Sequence, residues 1–451
     1  MILTLPPGPN KPLYNVFRTL HNILDFIKEN ADKYGDVVYY PLLNERIYQL
    51  NKPELIEEVF IKKQSSFIKN DRLQAKLIKN ILGEGLFTAN GEHWLRNRRM
   101  MATEFHQKRI ESYGKTIIEV TNRYIENWQE GETREIKIDM LNLALDVVMK
   151  SLFGHNNTID EGKLIQALQT ILRYYAKAVM FPIPLPGYSN YKRCAKEMDD
   201  MILQLISSRR SSGIYGDDLL GMLLSMRDEN GEGLDDRQIR DEVMTLIVAG
   251  HETTSAALAF AFYLLSENPD VTEKMAAEIS EVLDGRLPNI QDLPNLQYTT
   301  MVVNETLRLR SPAYILLRQA AEDIQIGEYM IPKDSIVLVS QYVMHRDPRY
   351  FEDPLVFRPE RWADGLEKKL PTFVYFPFGG GPRMCIGQRF AMAEAVLILA
   401  TIVQRYKLTA VNQDKLEVNA SITLSPKALH MVVNKRMLPP TIDIGNENAK
   451  Y

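Results

Sequence analysis

Between Pro53 and Arg310 the apolar positions recur every three to four residues, the spacing that places them on one face of a helix. Turn signals cut this stretch at Gly83-Glu84-Gly85, at Phe181-Pro182-Ile183-Pro184-Leu185-Pro186-Gly187, at Glu229-Asn230-Gly231 and at Glu267-Asn268-Pro269. Upstream, Val37-Val38-Tyr39-Tyr40 and Ile47-Tyr48-Gln49-Leu50 flank Asn44-Glu45 and predict a β-hairpin. Downstream, the segment from Tyr314 to Val343 alternates and turns at Gly327 and Pro332-Lys333-Asp334, which predicts short strands. The proline- and glycine-rich region from Tyr350 to Gly381 reads as irregular. A helix from Ile386 to Tyr406 follows, and two strands with a turn near Leu424-Ser425-Pro426-Lys427 close the chain. The pattern is mainly α with a small β portion.

The most apolar stretch, Val243 to Leu265, lies in a helix predicted from about Asp235 to Ser266, roughly 48 Å long at the α-helical rise. Gly250, His251, Glu252, Thr253 and Thr254 interrupt it, and such a centre is costly in lipid. A buried helix crossing a large domain is therefore expected, not a membrane span. No Gly/Ser-rich or charge-block linker divides the 451 residues, so 1–451 reads as a single domain. A 45% hydrophobic and 25% charged composition is ordinary for a globular protein, and a net charge of -4 gives no reason to invoke nucleic acid. Pro6-Pro7-Gly8-Pro9 follows Met1 too closely for a signal peptide or membrane anchor, and a cytoplasmic protein is expected. With only Cys194 and Cys385 there is no disulfide framework, and Cys194, in a polar helical context, reads as a bystander.

Cys385 is different. It stands between a glycine-rich loop and an apolar helical stretch, in Phe378-Gly379-Gly380-Gly381-Pro382-Arg383-Met384-Cys385-Ile386-Gly387. Free N–H groups at a helix start and the neighbouring Arg383 favour a thiolate, and the glycines let backbone approach something large and flat. These features suggest thiolate ligation of haem iron, against the plainer reading of a structural cysteine beside a turn. In the long helix, Ala249-Gly250-His251-Glu252-Thr253-Thr254 combines small residues with an acid and a hydroxyl. It reads either as a gas-binding gap with a proton route or as close packing with threonines bonded back to carbonyls. Glu305 and Arg308 share a helix face, as do Trp94 and Arg98.

The cysteine run resembles the Phe-x-x-Gly-x-Arg-x-Cys-x-Gly signature of the cytochrome P-450 family, the haem-thiolate monooxygenases, at every fixed position. The run from Ala249 to Thr254 is similar to that family's oxygen-activating motif. The resemblance extends over nearly the whole chain. It implies the triangular-prism haem-thiolate fold, soluble bacterial style, with haem b on Cys385 and Phe378 beside it. Glu252 and Thr253 would deliver protons. Trp94, Arg98, Arg318 and Arg383 would hold the haem and its propionates, and a buried Glu305, Arg308 and Arg361 network would support the cysteine loop. The expected reaction inserts one oxygen atom from O2 into a C–H bond of an apolar small molecule. Its pocket would be lined by Leu86, Phe87, Ala249, the segment from Ala313 to Leu316, and Leu424. Alternatives are a peroxide-using or rearranging relative, or a non-catalytic haem sensor.

No flavin, nicotinamide or iron–sulfur motif is present, so a separate ferredoxin- or flavodoxin-type donor is expected. Arg96, Arg99, Lys108 and Arg109 could dock it, or could be ordinary surface charge. Gly85-Leu86-Phe87-Thr88 is similar to soluble fatty-acid hydroxylases of the family, which tilts the expected substrate toward a long-chain acid, with a neutral lipid or terpenoid as the alternative. Arg46 and Tyr48, two apart on one strand, could then anchor a carboxylate, or could simply decorate an exposed strand.

Overall fold

The computed structural model of the protein describes residues 5–69, 79–102, 107–154, 160–178, 186–216, 218–411 and 416–436. Its spine is the helix Asp236–Glu267. Asp235 caps its N-terminus in a reciprocal capping box with Gln238, which satisfies backbone donors that the first turn leaves free. Among the described residues it is the one helix long and apolar enough to cross a membrane. Its Ala257, Leu258, Ala261, Phe262 and Leu265 are instead buried in the main apolar cluster. That cluster also takes side chains from Ile136–Phe153, Gln297–Leu309 and Gln388–Arg405. A second cluster gathers Leu145, Val148 and Leu152 with Ile239, Val243 and Ile247, and with apolar positions of Glu161–Ala178 and Tyr188–Ser212. The long helix is thus flanked by core on both sides, as its continuous apolar pattern requires.

The main sheet has five strands, in the spatial order Val37–Leu42, Glu45–Leu50, Ile336–Val339, Leu316–Ala320 and Phe67–Ile68. The first two form the expected hairpin in the register Val37 to Leu50 and Tyr40 to Ile47, turning through Leu43 at a positive φ of 52°. Glu45–Leu50 pairs in parallel with Ile336–Val339, and the other pairings are antiparallel. On the outer side of Val37–Leu42, the Tyr39 N–H donates to the Pro7 carbonyl at 3.0 Å. A Cβ on Gly8 would lie 1.8 Å from the Tyr39 carbonyl oxygen, so only glycine fits there.

Three expectations need correction. The helix Pro12–Tyr34, which leaves helical geometry at Asn22, was not read from the sequence. Strands Phe67–Ile68 and Thr133–Glu135 interrupt the helical half. The C-terminal part holds four strands, not two: Tyr406–Ala410, Val418–Ala420, Leu424–Pro426 and His430–Lys435. Leu424 and Ser425 pair with Ala420 and Asn419, so they lie in a strand and not in a turn. Most of the turn from Phe181 to Gly187 lies outside the described residues.

Candidate active site around Cys385

The cysteine loop is fixed from both sides. Cys385 N–H donates to the Phe378 carbonyl at 2.9 Å, closing the loop on itself. Gly381, at φ +68°, runs so close to the Phe60 carbonyl that a Cβ would stand 2.1 Å from it. The helix after it begins at Gln388. The thiol touches open space but is densely surrounded by protein, and burial pushes its pKa up against the pull of the Gly387 N–H and the nearby Arg98. Burial thus opposes the thiolate that a helix N-terminus favours. A bound metal cation deprotonates a coordinating thiol outright.

Cations gather beside this loop. Arg383 donates to the Ala89 carbonyl at 2.9 Å and the Asn90 side chain at 3.0 Å, and lies 4.2 Å from the Trp94 ring centre. Its other terminal nitrogen is buried without a partner. Arg318, buried, stacks 4.4 Å over the Phe60 ring. Burial first, then repulsion by Arg383, lowers its pKa to about 10. Lys69 joins them: burial and repulsion from Arg318 and Arg383 push its ammonium well below the usual range. No sequence motif marked this lysine, because chain order does not show that it meets two distant arginines. Among the described residues, neither Arg98, whose charged neighbour is Cys385, nor the mutually repelling Lys69, Arg318 and Arg383 has a carboxylate partner. Repelling cations held together in this way suit a dianionic ligand.

In the long helix Ala249 is exposed between half-buried Val248 and Gly250, a break in a helix whose other positions are mostly core. Thr253 Oγ1 donates to the Ala249 carbonyl at 2.8 Å, the back-bonded arrangement. Glu252, raised by burial, turns to the Thr423 hydroxyl instead of to Thr253. Phe87 is 42% exposed, and Leu86 and Ala313 are half-buried. Leu424 is sealed in a cluster with Leu24, Phe260 and Tyr314 and borders no open space.

Glu305, Arg308 and Arg361 do come together. Glu305 accepts from Arg308 at 2.8 and 2.9 Å and from Arg361 at 2.9 Å. Beyond these partners, which the motifs name, Glu305 also accepts from the Trp362 indole at 2.9 Å and the Arg358 N–H at 3.0 Å, contacts that no motif marks. Arg308 donates onward to the carbonyls of His345, Pro354 and Val356. Neutral His345 accepts the Phe376 N–H at 2.9 Å, two residues before Phe378, which carries the network to the cysteine loop.

The other two sequence-derived surfaces fare differently. Arg96 is spent on Asp228 at 2.7 Å and on the Gly233 carbonyl, which leaves Arg99 exposed beside it. The side chains of Lys108 and Arg109 lie outside the described residues. Arg46 donates to the Lys333 carbonyl, and Tyr48 is closed within the core, so the two do not converge on a carboxylate.

A family model described as cytochrome P-450 matches residues 6–432. The chain is 35% identical to a cyclooctat-9-en-7-ol 5-monooxygenase of Streptomyces melanosporofaciens, over 84% of this chain and 83% of that protein. It is 28% identical to a pentalenene oxygenase of Streptomyces avermitilis, over 96% and 95%. The crystal structure of the heme domain of cytochrome P-450DA superposes with a TM-score of 0.90 at 29% identity, covering 97% of this chain and 98% of that one. Fold and loop define a haem-thiolate enzyme. The chain belongs to the cytochrome P-450 family, and is a monooxygenase that uses haem b, O2 and a redox partner. Its residues fit the group: one thiol in a glycine cradle, and cations lacking anions where propionates would need them.

Proposed function

We propose that the enzyme hydroxylates a terpenoid-type hydrocarbon skeleton. Cys385 would hold the iron, and Lys69, Arg98, Arg318 and Arg383 the propionates, with Trp94 and Phe378 packed against the ring. When bound, the haem supplies oxygen activation and inserts one oxygen atom into a C–H bond. Thr253, accessible beside Ala249, can exchange its carbonyl partner for a water, and Glu252, kept protonated to higher pH by burial, would feed it a proton on swinging away from the Thr423 hydroxyl. What supports the substrate class is the apolar character of Leu86, Phe87, Ala249 and Ala313, together with the failure of Arg46 and Tyr48 to converge on a carboxylate. The names of the cyclooctat-9-en-7-ol and pentalenene relatives support it. Electrons would come from a ferredoxin- or flavodoxin-type donor.

The test is a panel of terpenes and fatty acids titrated against the haem-loaded protein by spin-state change. Turnover of the binders with ferredoxin, its reductase and O2 follows, with a parallel arm using peroxide. Tighter binding of fatty acids, or turnover with peroxide alone, would overturn the reading. Cys385→Ser should abolish the red-shifted band of the reduced CO complex.

A further inference from the structure

The loop that carries Leu86 and Phe87 is held by two consecutive carboxylates of the long helix. Asp241 accepts the Glu84 N–H at 2.8 Å, and Glu242 accepts the Leu86 N–H at 2.9 Å. The second oxygen of Glu242 accepts the Asn97 side-chain amide, also at 2.9 Å. Asn97 lies one turn from Trp94 and next to Arg98, on the helix Gly91–Ala102. Glu242 is fully buried, so both bonds form away from water, where a lost partner is expensive. The glycines of the loop follow from this contact: a Cβ on Gly83 would stand 2.1 Å from the Asp241 carboxyl, and one on Gly85 2.3 Å from Thr245 Oγ1. From the other side, Lys69 donates to the Phe87 carbonyl at 2.6 Å.

We infer that Glu242 is a positioning residue that fixes the apolar wall of Leu86 and Phe87 and ties it to the helix carrying Trp94 and Arg98. The inference rests on that wall facing the substrate, as proposed above. Glu242 touches neither the cysteine loop nor the open space, so it acts only through Leu86 and Asn97. Burial, with Asp241 beside it, raises its pKa to about 7. Protonation would turn one acceptor oxygen into a donor and release either Leu86 or Asn97. Apart from His93, the charged groups around it are spent on other partners. On its own helix Arg240 and Arg237 are turned to Asp199 and Asp241. On the loop Glu84 pairs with Lys79. On the helix Gly91–Ala102, His93 reaches the Glu84 carbonyl and lies 3.4 Å from the Asn97 side-chain nitrogen, and Arg96 is spent on Asp228. The wall should therefore be firm above about pH 7 and loosen below it.

The haem-loaded protein can be probed with imidazole, which needs only the iron, and with 4-phenylimidazole, whose ring must meet the wall. Affinities are corrected for each ligand's own protonation. Glu242→Gln sets an amide against two donors. It should weaken 4-phenylimidazole about tenfold with imidazole unchanged, and should speed amide exchange of residues 83–88 but not of the cysteine loop. In wild type the same selective weakening should appear as pH falls from about 8 to about 6, and in the variant it should be absent. Equal affinities in both proteins, or equal weakening of both ligands, would overturn the assignment. If the variant does not fold, the titration of wild type beside His93→Gln decides the matter: the selective weakening should persist in His93→Gln, and its loss there would overturn the assignment to Glu242. An absent CO band in wild type would instead sink the haem-thiolate reading itself.

Discussion

Thr253 makes its hydrogen bond to a carbonyl one turn back, which is what a threonine does in any buried helix. What sets it apart is the exposed Ala249 beside it, because a hydroxyl next to open space can trade that carbonyl for water. Thr253→Ala removes this option without touching the cysteine loop. Haem content should stay normal, while the share of reducing equivalents released as peroxide rises severalfold against product formed. Unchanged coupling would leave the hydroxyl with its helix bond alone. The same reasoning separates Cys385 from Cys194. Both are free thiols, but Cys194 is closed within an apolar cluster, and only Cys385 faces an opening with cations nearby.

At the scale of elements, the helix Gln297–Leu309 is fastened to the segment before the cysteine loop by one carboxylate with five hydrogen bonds. Glu305→Gln would leave buried Arg308 and Arg361 without a counter-charge. A loss of about 3–5 kcal/mol is expected, read as a fall in denaturation midpoint together with poor haem retention. A second carboxyl lies on the helix Gln388–Arg405. Glu394 is buried, with the Thr254 hydroxyl near it and no well-formed hydrogen bond to either oxygen, and burial lifts its pKa to about 8. A folded value above the ordinary one means that its contribution is full below about pH 4.5 and is lost as pH rises toward 8. Glu394→Gln cannot ionise. Its melting temperature relative to wild type should therefore climb between about pH 5 and pH 8, and a constant difference would refute the assignment. The long helix and the hairpin were legible because their patterns are local: Asp235 and Gln238 mark a start, and alternation marks the strands. Lys69, Glu242 and Glu394 were not, because each owes its meaning to partners far away in the chain. Leu424 was misplaced for the same reason: an apolar residue fits a pocket wall and a sealed cluster equally well on paper.

For the molecule as a whole, the parallel pairing of Glu45–Leu50 with Ile336–Val339 binds the start of the chain to its last third. The strand outside that pair, Val37–Leu42, ends the sheet, and a terminal strand offers its unpaired backbone to any passing chain. Here the segment Pro6-Pro7-Gly8-Pro9 lies against it, with the Tyr39 N–H already satisfied by Pro7 and the contact too close for any residue but glycine at position 8. Pro41 removes another donor from the same strand. The proline-rich lead is therefore a guard against self-association as much as a connector. A variant lacking residues 1–9 should keep its CO band yet form concentration-dependent oligomers on size exclusion; a truncated protein that stays monomeric at every concentration would show that the sheet needs no such cover.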